Sequence, residues 1–191
     1  MHDADDETLM QAYRDGDTAA FDVLYRRHRQ RLFHFLVRKT GSRETGEELY
    51  QEAWLRLIRH HREYQPTARF TTWLFTLAHS CLMDHFRKQG RIGQHEQTVD
   101  ELPDAPACAL QEPPARLESV RAAQQFRMCL DGLPMEQREV FLLREEGDFS
   151  LPDIAAITGQ GLEAVKSRLR YALKKLRGCL GLNDDGEGVE A

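Results

Sequence analysis

"FSLPDIAAITGQGLEAVKSRLRYALKKL", residues 149–176, is the stretch that decides the fold class. Ser150 followed three residues later by Asp153 has the spacing of a capping box, and Ile154, Ala155 and Ile157 form one apolar face behind it. "TGQG" at 158–161 ends that helix after about two turns, and a longer helix starts near Gly161. Two helices joined by a short Gly-containing turn, the second of them basic, have the form of a helix-turn-helix.

On a helical wheel the second helix divides cleanly. Leu162, Val165, Leu169, Ala172, Leu173 and Leu176 share one side. Lys166, Ser167, Arg170, Tyr171, Lys174 and Arg177 share the other, with Arg168 and Lys175 at the borders. The apolar side has the pattern of a face docked on the preceding helices, and a duplex major groove accepts the cationic side. A solvated surface, a membrane contact and a partner groove are the competing readings of such a face. The capped helix and tight turn in front of it favour DNA.

Further upstream, "SVRAAQQFRMCLDGL" (119–133) and "LPMEQREVFLLREEG" (133–147) read as two more helices, with Pro134 suited to a first turn. Before them, residues 93–119 contain four of the seven prolines and little periodic apolar pattern, which marks a linker. The first body reads as helices throughout. Asp17 is the expected N-cap of a helix carrying Phe21, Leu24, Tyr25, Leu32, Phe35 and Leu36 on one stripe. Ser42 caps the next, "RETGEELYQEAWLRLIRHH", which ends before the proline-bearing "EYQPTARF". The third, "TTWLFTLAHSCLMDHFRKQG", puts Leu74, Leu77, Ala78 and Cys81 together. No alternating strand pattern competes, so the expected fold class is all-α.

The chain has 191 residues, 41% of them hydrophobic, and a formal net charge of −5. That size allows one domain or two small ones, each with a modest core. The acidity is uneven: residues 1–91 and 119–182 are each net +2, residues 92–118 are net −5 and residues 183–191 net −4. Both bodies are therefore mildly basic, and the overall charge says little about their partners. No apolar run reaches the ~18 residues of a membrane span, so no membrane insertion is expected. The acidic N-terminus lacks the basic and apolar regions of a signal peptide, so a cytoplasmic protein is expected.

Four scattered cysteines predict reduced thiols and neither a disulfide nor a zinc site, with Cys81 and Cys129 packed as small hydrophobes. Eight irregularly spaced histidines predict no metal site. With no nucleophile–base pair and no phosphate-binding Gly loop, catalysis and a cofactor are not expected.

Two helices of the first body hold residues that a core does not require. At 46–61, Leu49, Tyr50, Ala53 and Leu57 make the core face, while Glu48, Gln51, Glu52, Leu55 and Arg59 lie opposite. A leucine in an acidic ridge is either an isolated surface apolar or a docking ridge for a basic partner helix, and the pattern alone favours the first. The segment from Phe70 to Lys88 mixes Phe70, Thr72, Trp73, Phe75 and His79 with Arg87 and Lys88. Aromatics that stack on unpaired bases beside cations that hold phosphates grip single strands, but the same aromatics also suit a core. Trp73 and Phe75 are not both expected to face the core that takes Leu74.

Together these stretches resemble the extracytoplasmic-function group of bacterial sigma factors, the two-domain members of the sigma-70 family. "DTAAFDVLYRRHRQRLFHFL", "GEELYQEAWLRLIRH" and "FTTWLFTLAHSCLMDHFRK" are similar to successive parts of region 2. "LPMEQREVFLLREEGDFSLPDIAAITGQGLEAVKSRLRYALKKLR" is similar to region 4. The resemblance implies a region 2-like domain at 1–91, a linker at 92–118, a region 4-like domain at 119–182 and an acidic tail at 183–191.

It also implies residue roles. Glu48, Gln51, Glu52 and Leu55 would bind the coiled coil of the polymerase largest subunit, against the reading from pattern alone. Arg69, Phe70, Thr72, Trp73, His79, Ser80, Arg87 and Lys88 would recognise and open the −10 element. Lys166, Ser167, Arg168, Arg170, Tyr171 and Lys174 would read the −35 element as duplex. Core RNA polymerase, promoter DNA and an anti-sigma factor are the partners implied, with a stress or envelope-response regulon. Ser80 stands where the family often has Asn, and Gly161 where it usually has a capping Ser or Thr. A stand-alone helix-turn-helix regulator is the alternative, distinguished by having no use for the acidic Leu55 ridge.

Overall fold

A computed structural model of the chain describes residues 4–90 and 114–182, with side chains from residue 120 onward in the second segment. The described residues form eight α-helices and a short 3-10 turn, with no strand. The first body holds α1 (Asp6–Arg14), α2 (Thr18–Thr40), α3 (Arg43–His60) and α4 (Phe70–Lys88). The second holds α5 (Pro114–Asp131), α6 (Met135–Glu145), α7 (Leu151–Thr158) and α8 (Leu162–Cys179). Residue 91, most of the spacer (92–113) and the acidic tail lie outside the described residues; α5 starts at Pro114, within the stretch read as linker.

The caps lie where short polar side chains meet orphan amides. Asp17 accepts from Ala19 N at 2.9 Å, Ser42 from Thr45 N at 3.3 Å, and Ser150 with Asp153 forms the reciprocal capping box. α8 starts at Gly161 with no side-chain cap, and runs its full length regardless. Sequence reading missed α1, whose cap is Asp5 accepting from Thr8 N at 2.7 Å and whose Leu9 and Met10 are buried.

α2 packs along α3, and Gly46 permits the close approach: a Cβ there would stand 2.6 Å from Val37 Cγ2. Leu24, Leu32, Phe35, Leu36, Leu57 and Leu74 fill the core between these helices and α4. In the second body α8 crosses α5, α6 and α7, burying Val165, Ala172 and Leu176. Between α7 and α8, Gly159 turns the chain with φ of 66°, a conformation that suits glycine.

The two bodies are packed together, which the local sequence did not announce. α7 lies along α4, and α6 meets α2. Phe75 packs between Phe35 and Phe149 at centroid distances of 5.2 and 4.9 Å, tilted to the first ring and edge-on to the second, and the Arg31 guanidinium sits over both Phe75 and Phe149. Leu74 and Phe75 are thus both fully buried, one in each contact, while Trp73 is half-buried against Tyr64.

The cysteine expectation is corrected. Cys129 and Cys179 form a disulfide joining α5 to the end of α8, with Cα atoms 5.8 Å apart and a separation of 50 positions in sequence. The helix crossing brings the two together, so spacing along the chain gave no sign of it. Cys129 is buried as expected, and Cys81 is a buried free thiol that burial pushes up to about 11.

Candidate polymerase and promoter interfaces

The outer face of α3 carries the first candidate surface. Glu48, Gln51 and Leu55 are exposed on successive turns, Leu55 to 45%. Glu52 is half-buried because its carboxylate accepts from Arg56 Nε at 3.1 Å and Arg59 Nη1 at 3.5 Å. Ile58, 39% exposed, extends the apolar strip by one turn beyond Leu55. Sequence reading passed over it, although its i, i+3 relation to Leu55 places both on one face.

α4 and its N-cap Arg69 carry the second set and separate it into four groups, one of them Trp73 alone, half-buried against Tyr64. Arg69, Ser80, Arg87 and Lys88 are exposed. Phe70 is fully buried, with its ring 5.3 Å from His28, and its backbone N–H donates to Glu7 at 2.7 Å. Thr72 and His79 face the second body. The Thr72 hydroxyl donates to Asp153 Oδ1 at 3.2 Å, and His79 Nδ1 lies 2.7 Å from Glu139 Oε1. Burial raises the Glu139 carboxyl, but the Lys39 charge and the His79 bond outweigh it and hold the group below its ordinary value. Asp153 is likewise lowered: burial opposes, and the Ser150 hydrogen bond prevails. Two acceptors held ionised therefore occupy the polar groups on one face of α4.

α8 supplies the third surface. Lys166, Arg170, Tyr171 and Lys174 are exposed; Ser167 and Arg168 are half-buried. Arg170 sits 5.3 Å over the Tyr171 ring, which is 50% exposed, so the two side chains form one amphipathic plate. Arg168 differs from the rest: its Nε donates to Glu136 at 2.8 Å and its Nη1 to Gln160, tying α8 to α6 and to the turn. Leu169 and Leu173 are half-buried, and with Leu151 and Leu182 they floor a groove of about 700 Å³ rimmed by Lys166 and Arg170.

Comparison with known proteins bears on all three surfaces. Residues 24–92 match the model of sigma-70 region 2, and residues 123–176 match that of sigma-70 region 4. The chain is 31% identical over 173 residues to the RNA polymerase sigma factor CarQ of Myxococcus xanthus, covering 90% of this chain and 95% of that one. It is 29% identical over 189 residues to the ECF RNA polymerase sigma factor SigM of Mycobacterium tuberculosis, covering 98% and 91%. Among solved structures it is similar to the sigma factor RpoE in complex with the anti-sigma factor NepR from Bartonella quintana, with a TM-score of 0.68 at 23% identity over 85% of this chain and 98% of that one. It is also similar to CnrH in complex with the cytosolic domain of CnrY, with a TM-score of 0.65 at 24% identity over 94% and 99%.

Proposed function

The chain belongs to the extracytoplasmic-function sigma factors of RNA polymerase, and we propose that its three exposed surfaces divide the work of such a subunit among named residues. It binds core polymerase and directs initiation to particular promoters. Glu48, Gln51 and Leu55, with Glu52 behind them, meet the basic coiled coil of the largest subunit. Arg69, Ser80, Arg87 and Lys88 approach the −10 strand first. Lys166, Arg170, Tyr171 and Lys174 enter the −35 major groove, while Arg168 sets the angle of α8 on α6. The roles follow domains at 1–91 and 119–182, with 92–118 joining them and 183–191 as an acidic tail. The protein acts in the cytoplasm, carries out no chemistry of its own, serves a stress or envelope-response regulon, and is held in check by an anti-sigma factor.

The observation that carries this reading is Leu55, an exposed leucine set among acidic neighbours and continued by Ile58. A stand-alone regulator has no use for such a ridge. Thr72 and His79 become available to DNA only when α6 and α7 leave α4, so promoter engagement entails separation of the two bodies. The deciding experiment is co-elution of the chain with core polymerase, comparing the wild type with Leu55→Asp. Co-elution of the wild type and its loss in the variant supports the assignment; unchanged co-elution removes the ridge from the core interface.

A further inference from the structure

Arg56 lies on α3 one turn after Glu52, and its guanidinium spans from that helix to α4. Nε donates to Glu52 at 3.1 Å, Nη1 to the Ser80 hydroxyl oxygen at 2.9 Å, and Nη2 to Asp84 Oδ2 at 2.8 Å. Asp84 is itself bound from its other oxygen by Arg87 at 3.2 Å. A planar fork with every nitrogen engaged has a fixed direction, which a lysine in its place does not reproduce.

The consequence falls on Ser80. A serine hydroxyl carries one hydrogen and two acceptor positions, and it turns to suit its surroundings. Here Arg56 donates into the oxygen, and among the described residues no acceptor takes the Ser80 hydrogen. Thr76, one turn earlier on the same helix, instead spends its hydroxyl hydrogen on the Thr72 carbonyl at 2.8 Å. Ser80 is exposed, so its hydrogen and its second acceptor position are both open to solvent. We infer that Arg56 is a positioning residue for promoter reading: its cationic donation takes one of the two Ser80 acceptor positions and polarises the hydroxyl, so that Ser80 serves better as a donor than as an acceptor and this chain favours a carbonyl or ring nitrogen over an exocyclic amine at the −10 base Ser80 meets. The inference rests on the −10 role proposed above for Ser80.

The test is binding of reconstituted holoenzyme to a panel of promoters carrying all four bases at each −10 position. Ser80→Ala identifies the position Ser80 reads, by a loss of about three- to tenfold in discrimination there, the size expected of one hydrogen bond. Arg56→Met is expected to lose the same discrimination at the same position, and Arg56→Met with Ser80→Ala to lose no more than Ser80→Ala alone. Core affinity and binding to a duplex carrying only the −35 element should stay within about twofold, which a general loss of structure would not allow. If Arg56→Met does not fold, Arg56→Lys, which keeps the charge without the fork, supplies the same comparison. Additive losses, or unchanged selectivity in both Arg56 variants while Ser80→Ala alters it, overturn the positioning role and leave the −10 assignment standing. No change in Ser80→Ala overturns both.

Discussion

Lys39 Nζ stands 3.5 Å from Glu139 Oε2, both side chains are shut off from solvent, and the two residues belong to different bodies of the molecule. Lys39 also donates to the Met135 carbonyl, and Glu139 holds His79 of α4. A buried ion pair gains little over apolar residues of the same shape, but either partner left alone is costly. Lys39→Met should therefore destabilise the packed arrangement by about 3–5 kcal/mol, and Lys39→Met with Glu139→Leu should recover most of the loss. Denaturant melts give the stability, and small-angle scattering shows whether the single variant opens into two separated bodies. Equal, additive losses in a double-mutant cycle would show that the two charges do not act together.

The same pair sets a pH dependence whose sign is unusual for a salt bridge. Burial pulls the Lys39 ammonium down to about 8, with Glu139 opposing, from an ordinary value of 10.5. Between those values the opened or unfolded chain holds a proton on Lys39 that the packed form has shed, so packing strengthens as pH rises. The Glu139 carboxyl is lowered from 4.5, so its contribution is present above that value and is lost as pH falls through the lowered one. The stability difference between the wild type and Lys39→Met should widen in favour of the wild type from pH 8 to about pH 10.5. A difference that is flat or narrows across that window contradicts the buried, destabilised ammonium.

Much of the architecture could be read locally. Asp17, Ser42 and the Ser150–Asp153 pair mark three helix starts through side chains only a few residues from the amides they cap. α8 shows its two faces because period and charge agree. The contact between the bodies could not be read in this way. Thr72 and Asp153 are 81 residues apart, and Lys39 and Glu139 look like ordinary surface charges until α6 packs against α2 and buries both. Cys129 and Cys179 were concealed by a long-range crossing of a different kind, that of α5 and α8 inside the second body. At the candidate surfaces, sequence gave the residue types but not the partners that hold Glu52 and Arg168 in place.

Those partners change how the polymerase surface should be probed. Glu48 is exposed, so Glu48→Lys with Leu55→Asp should abolish core binding with a stability change within about 0.5 kcal/mol, as for ordinary surface substitutions. Glu52→Lys sets a third cation beside Arg56 and Arg59, and should disturb Ser80 and Asp84 through Arg56 as well. It should therefore alter −10 selectivity in whatever holoenzyme still forms, whereas Glu48→Lys should not. Equal selectivity in the two variants would separate Glu52 from the Arg56 network.

The disulfide makes the second body's stability depend on redox conditions. It closes a loop of 50 residues between α5 and α8, so Cys179→Ser should lower the stability of that body by about 2–4 kcal/mol under oxidising conditions. With excess dithiothreitol the wild type and the variant should melt together. Cys81, buried and with its thiol pushed up to about 11, should resist alkylation in the folded protein. Identical melting of wild type and variant in oxidant would mean that the bridge adds nothing to the α5–α8 contact.

The cationic face of α8 should divide by how each side chain is held. Arg170 is exposed and braced on Tyr171, with its guanidinium directed by the ring, which suits a fork that meets a base edge. Arg170→Ala should cost about 1–3 kcal/mol and relax selectivity at one or two −35 positions. Lys175 is an exposed ammonium at the border of the face and suits a phosphate, so Lys175→Ala should weaken all sequences alike and reduce the salt slope by about one. Arg168 is committed to Glu136 and Gln160. Arg168→Ala should lower −35 binding through loss of the α8 angle, and Glu136→Ala alone should lower it too, because it releases the same tie; a direct DNA contact by Arg168 would leave the Glu136→Ala variant undiminished. Holoenzyme binding to −35 variants across a salt series measures all of these. If Arg170→Ala and Lys175→Ala both leave affinity, selectivity and salt slope unchanged while transcription persists, α8 does not read DNA and its cations serve only as a solvated surface.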